Sequence, residues 1–140
     1  MLKTKRTRHS LTLITSVLFS MGYFCQSRYQ VQILDSFGLE ATKGDCGAIY
    51  GLAGPRVATC FPALSWQTFD VDFTAAEFRD GKKVKDAGMT VYHNGVLIHD
   101  RLDVPAASAG ALIKVEGPTF ISTCRVLNRF NLLLHFFKQL

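Results

Sequence analysis

Gln30 and Gln32 stand two residues apart, so in an extended chain they project from the same side, about 7 Å apart. Primary amides both donate and accept hydrogen bonds, which suits them to holding the hydroxyls of a sugar. Trp66 adds a flat apolar ring on which a pyranose can stack. Asp35 either begins an Asx turn or supplies a carboxylate at the mouth of a groove. His93 is a candidate for proton transfer, or else a polar cap on a sheet rim. The competing assignment for the two glutamines is a solvated outer sheet face, the commoner use of such residues.

Other chemistries leave no trace. There is no GxGxxG, P-loop, HExxH or GxSxG signature. Four cysteines (Cys25, Cys46, Cys60 and Cys124) contain no CxxC pair, which argues against a zinc site or thiol redox motif of that kind. Cys46 and Cys60 flank a Gly/Pro-rich loop and are a candidate disulfide, whose closure would contribute about 3 kcal/mol in the chain-entropy account. Two buried free thiols are the alternative.

These residues must be positioned by strands. Tyr29, Val31 and Ile33 alternate with Gln30 and Gln32, which predicts a strand over Tyr29–Asp35 with one apolar and one polar face. Gly44-Asp45-Cys46-Gly47 predicts a turn, and Ala48–Tyr50 a short strand. In Ser65–Thr74, Gln67, Phe69, Val71 and Phe73 face one way, with Trp66, Thr68, Asp70 and Asp72 opposite. Asp80-Gly81-Lys82-Lys83 is a polar turn. Asn94-Gly95 between Met89–His93 and Val96–Asp100 predicts a type I′ hairpin, because both residues tolerate positive φ. Its register sets His93 opposite Val96, Tyr92 opposite Leu97, Val91 opposite Ile98 and Thr90 opposite His99. Met89, Val91, Val96 and Ile98 then share the core face, with His93 at its rim and His99 on the other face. A metal site built from the two histidines is disfavoured by that register.

The ends read differently. A cationic stretch from Lys3 to His9 precedes an apolar run from Leu11 to Phe19, with Ser20 and Gly22 as a small-x-small cleavage pattern. Residues 1–22 are therefore expected to be a signal helix, and the mature protein to be secreted or periplasmic. The apolar run is too short for a stable membrane span. Val126, Leu127, Phe130, Leu133, Leu134 and Phe137 fall at helical spacing and predict a C-terminal helix. The net charge of +5 sits at the ends. Between Tyr23 and Glu116 there are nine Lys/Arg and eleven Asp/Glu, which excludes a basic nucleic-acid-binding face.

Several segments together resemble one family. They are Tyr29–Ser36, Cys46–Gly51, Ser65–Ala75, Val91–Val96 and Asp103–Ala107. In order and spacing the set is similar to the 3-keto-disaccharide hydrolase domain, over Tyr23 to Gly110. The resemblance implies an all-β, concanavalin/laminin-G-like jelly-roll whose concave sheet binds a carbohydrate substrate. It also implies cleavage of glycosides oxidised at C3. A 3-keto group acidifies the C2 proton, so a base can start an elimination that expels the C1 substituent, with water added afterwards. A divalent ion polarising the ketone would fit that chemistry. On this reading Gln30, Gln32 and Trp66 bind the sugar, and Asp35 and His93 are the catalytic candidates.

The chain departs from the family's pattern in three places. Gln30 stands where members carry Glu, so an acid/base carboxylate is replaced by an amide. No closing Leu-Gln-Asp-His-Gly strand follows Gly110. Gly22-Tyr23-Phe24 meets the point where members have a run like Asn-Ser-Gly-Val-Tyr. The expected organisation is a signal-like segment at 1–22, a partial sandwich at 23–110 truncated at both ends, and a divergent tail at 111–140. A non-catalytic carbohydrate-binding or cell-surface module, or an inactive gene remnant, are the other readings.

Overall fold

The computed structural model describes residues 6–14, 20–115, 117–118 and 124–128. They form an antiparallel sandwich. The four-stranded sheet A contains β1 (Arg6–Ile14), β4 (Trp66–Thr74), β7 (Ala87–His93) and β8 (Val96–Val104), in the order β1-β4-β7-β8. The three-stranded sheet B contains β2 (Met21–Cys25), β3 (Tyr29–Ile33) and β9 (Cys124–Asn128), in the order β3-β2-β9. A small hairpin of β5 (Glu77–Arg79) and β6 (Lys82–Lys85) turns at Asp80-Gly81. This is consistent with the jelly-roll sandwich that the family resemblance implied.

The core lies between the sheets. Tyr29, Val31 and Ile33 of β3 meet Phe69, Val71 and Phe73 of β4 and Met89 and Val91 of β7. Tyr29 and Phe73 are in ring contact at 5.5 Å. Burying side chains of this size contributes about 1.5–3 kcal/mol each relative to exposure. The period-two pattern of β4 is fully realised, with its odd-numbered residues buried and Trp66 64% exposed.

The N-terminal reading is altered. Arg6–Ile14 pairs along β4, Leu11 opposite Phe69 and Leu13 opposite Gln67, and both leucines are buried in the core. Met21 and Gly22 begin β2 rather than ending a helix. Alternating apolar residues satisfy a strand as well as an export signal, and in this fold residues 6–14 are paired at the edge of sheet A. At the other end, Val126 and Leu127 lie in β9. Its backbone pairs with β2, so extended pairing overrides the helical spacing at these two residues. The expected positions from Phe130 to Phe137 lie outside the described residues. Ala48–Tyr50 contributes single bridges at Ile49, to Val31 and Ala53, in place of a strand.

The Asn94-Gly95 turn forms as expected, with φ of 50° and 79°. His93 pairs with Val96 and Tyr92 with Leu97. Beyond that the register slips by one, so Val91 faces His99 rather than Ile98. A bulge of this kind places two consecutive residues against the interior. Ile98 and His99 are accordingly both buried, while Val96, expected in the core, is 43% exposed.

Candidate functional site

The outer face of sheet B carries the two glutamines, side by side as expected. They are not solvated. Gln30 and Gln32 are 6% and 4% exposed. The Gln30 Nε2 amide donates to Gln32 Oε1 at 2.7 Å, and Gln32 Nε2 donates to the Ser20 hydroxyl at 3.0 Å. A row of amides thus runs across β3 toward the start of β2. Gly22, paired with Gln32, makes room for it, because a Cβ there would stand 2.6 Å from Gln30 Nε2.

Two segments cover this row. The chain at 47–50 bonds to the β3 backbone through Gly47 N–H to Gln32 O and Tyr50 N–H to Gln30 O. The segment from Ser108 to Ile113 crosses above, held by Ser108 N–H to Arg28 O, Ala109 N–H to Tyr50 O and Leu112 N–H to Ser27 O. The Ser108 hydroxyl accepts the Gln30 N–H at 2.8 Å. Gly110 passes so close that a Cβ would lie 2.0 Å from Gln30 Oε1. Arg28 Nη1 donates to Gly117 O at 2.6 Å. Gln30 Oε1 and Arg28 Nε are buried with no hydrogen-bond partner. Such groups carry a desolvation penalty that a polar ligand or a water relieves. Ser20, Arg28 and Ser108 are neighbours of the row that sequence spacing did not single out, because only the fold brings them there.

The other candidates lie elsewhere. Trp66 is on the outer face of sheet A, so two sheets and the core separate it from the glutamines. Asp35, past the end of β3, adopts the Asx-turn arrangement, with Phe37 N–H to Asp35 Oδ1 at 3.4 Å. His93 is not at a rim but wholly enclosed. Its ring stacks on Phe69 at 4.1 Å between centroids. Its Nδ1 meets the Thr59 hydroxyl at 2.7 Å and its Nε2 lies 3.2 Å from Gln67 Oε1. A ring protonated at Nε2, accepting from Thr59 at Nδ1, satisfies both nitrogens. Burial lowers the His93 pKa to about 4. Gln67 and Asn94 complete the cluster. Asn94 Nδ2 donates to Thr59 O and to Gln67 Oε1, and Gln67 bonds both the N–H and the C=O of Phe61. A polar Gln67 on the inward side of β4 was the sequence signal for this network.

His99 is also buried, its Nε2 at 2.8 Å from Gly47 O, and burial lowers its pKa. Cys46 and Cys60 do come together, as buried free thiols that perturb each other's titration. Among the described residues no group of three or more His, Cys, Asp or Glu side chains is placed to hold a metal ion, and no helix is long and apolar enough to cross a membrane.

No curated protein matches the chain significantly. Among solved structures, a candidate glycosyl hydrolase from Parabacteroides distasonis is similar in fold, with a TM-score of 0.72 at 19% identity. The similarity covers 85% of this chain and 54% of that one, so the chain spans about half the length of its structural relative. The family model for the 3-keto-alpha-glucoside-1,2-lyase-like domain matches residues 16–121, extending beyond the Tyr23–Gly110 core of the sequence resemblance at both ends. With that match over most of its length, the chain belongs to the 3-keto-alpha-glucoside-1,2-lyase-like domain family.

Proposed function

We propose that this protein acts on glycosides carrying a ketone at C3, with sheet B, whose amide row lies under Ser108–Ile113, as the sugar-binding side. The observation that carries the reading is the family match, which spans the strand bearing Gln30 and Gln32. Paired amides, with the unpartnered Gln30 Oε1 and Arg28 Nε beside them, offer both donors and acceptors to a polyol. For the base that removes the C2 proton we assign Asp35, because His93 is enclosed by Phe69, Thr59, Gln67 and Asn94. The electrons of the C2–H bond then expel the C1 substituent, and water adds to the product. The test is release of reducing sugar from 3-keto-trehalose by the wild type and by Asp35→Asn. Release that is abolished in the variant supports the reading, and release unchanged by the variant overturns the role of Asp35.

A second reading is a non-catalytic carbohydrate-binding module. It is favoured by the amide at position 30, which cannot take a proton where the resemblance implies a carboxylate. Binding of 3-keto-trehalose by calorimetry without turnover would select it. Export is a separate proposal resting on the cationic-then-apolar order of residues 1–22. N-terminal sequencing of protein recovered outside the cytoplasm tests it, and cleavage after Gly22 would remove β1 from the edge of β4.

A further inference from the structure

The connection between β3 and β4 folds back so that two cysteines fourteen positions apart meet beneath it. Both are in the buried core cluster. They converge on one short stretch of chain. The Cys46 N–H donates to the Ser36 hydroxyl at 3.2 Å, and the Cys60 thiol contacts Leu34 O at 3.6 Å. The two thiols lie near enough that each perturbs the other's titration. Their surroundings differ. Cys60 adjoins an exposed stretch, with Phe61 48% and Leu64 75% exposed, whereas Cys46 sits in the turn packed under Ile98 at Gly47. Nothing in the amide row or the His93 cluster requires either sulfur.

We propose that Cys46 and Cys60 are a redox pair that a disulfide oxidant converts to an intramolecular disulfide, with Cys60 as the attacking sulfur and Cys46 as the resolving one. The Cys60 thiolate attacks one sulfur of oxidised glutathione, forming a mixed disulfide and expelling one glutathione thiolate. Cys46 then loses its proton to solvent and attacks Cys60 Sγ. This forms the Cys46–Cys60 bond, breaks the mixed disulfide and releases the second glutathione as thiolate. The protein loses two electrons and two hydrogens, and the glutathione disulfide gains them. The asymmetry within the pair supports this order. The adjacent Cys46 holds the Cys60 thiol down at about 7, while Cys60 and burial raise Cys46. Asp35 raises both. The thiolate is the reactive form, so Cys60 is the first to react near neutral pH.

The consequence is mechanical. Cys60 is next to Thr59, which holds the His93 ring, and Cys46 is next to Gly47, which holds His99. A covalent link between them ties the long connection to both histidine anchors.

The experiment is incubation of the full chain with oxidised glutathione at pH 7.5, followed by intact-mass and peptide mass measurement. The expected result is loss of two hydrogen masses, a linked peptide pair containing Cys46 and Cys60, and a melting temperature higher by roughly 10 °C than that of the reduced protein. In Cys46→Ala, glutathione is expected to remain on Cys60 as a stable adduct. In Cys60→Ala, Cys46 is expected to acquire none. Retention of both thiols in the oxidised wild type, a link to Cys25 or Cys124 instead, or an adduct first formed on Cys46 would each overturn the proposal. The wild-type mass measurement stands even where a variant fails to fold.

Discussion

Lowering the pH from 7.5 to 5.0 should destabilise this protein by a calculable amount at one residue, His93. In the unfolded chain the imidazole titrates near its ordinary value of about 6.5. In the fold it is enclosed, stacked on Phe69, and burial holds its pKa at about 4. Because the folded value is depressed, the stability contributed by the neutral ring is fully present above about 6.5 and is lost as the pH falls toward 4. Over the whole interval the loss is roughly 3 kcal/mol, and about 2 kcal/mol of it has occurred at pH 5.0. That is a large share of the stability typical of a domain. The assay is urea unfolding followed by far-ultraviolet circular dichroism at pH 7.5 and 5.0, on the wild type and on His93→Gln. The variant keeps a polar group near Thr59 but cannot gain a proton. His99 and His9, whose pKa values are also lowered by burial, contribute to the pH dependence of both proteins and cancel in the comparison. The variant should therefore lose about 2 kcal/mol less than the wild type between the two pH values. Equal losses in the two proteins would refute the argument that a neutral buried His93 is responsible.

Gln30→Glu should show the opposite pH dependence. A carboxylate there loses the amide donor to Gln32 Oε1 and is buried between Gly22 and Gly110. Its folded pKa is raised, so stability falls as the pH rises above about 4.3, by roughly 2–3 kcal/mol at pH 8; a flat melting profile from pH 4.5 to 8 would contradict this. Gly110→Ala forces a methyl group onto Gln30 Oε1 and should cost about 1–3 kcal/mol, read as a lower thermal midpoint. Asn94→Ala removes donations to Thr59 O and Gln67 Oε1, and the acceptor for Thr68 N–H, at a residue with φ of 50°. It should cost about 2–4 kcal/mol in urea unfolding, and Asn94→Gly, which retains the turn geometry, should cost less.

How much of this was legible in the sequence depended on whether neighbours along the chain or neighbours in space decide the structure. The Asn94-Gly95 turn and the two faces of Trp66–Thr74 follow from local rules and formed as read. The slip after Tyr92 did not follow, because a bulge leaves no mark in a hydrophobic pattern until the partner strand is known. That slip turned His99 inward. Gln30 and Gln32 were rightly placed on one side of β3, but their burial comes from Gly47–Tyr50 and Ser108–Ile113, and such cover has no periodicity. Polar residues facing a sheet's outer side look alike whether water or another segment lies above them. Trp66 and the glutamines seemed to belong together because both suit a sugar. Only the topology shows that they are on opposite outer faces of the sandwich. The strand at Arg6–Ile14 was not legible for a related reason, since its partner β4 is far away in sequence.

The strand order of sheet B also bears on how the chain reaches its native state. β2 lies in the middle, joined to β3 by a tight turn on one side, but on the other its partner is β9, with Cys25 in register with Cys124. β1 likewise waits for β4, with Ser10 and Asp70 sixty positions apart. Closing loops of that length is entropically costly before any contact rewards it, so folding dominated by such pairings is slow. The β7–β8 hairpin, with its self-turning Asn94-Gly95, is the long pairing that forms without that delay. On a ribosome, β2 emerges with one edge open and stays so until β9 has been made. For that interval its backbone is an unsatisfied template, and the nascent protein's exposure to mispairing is set by the rate of translation as well as by its final stability.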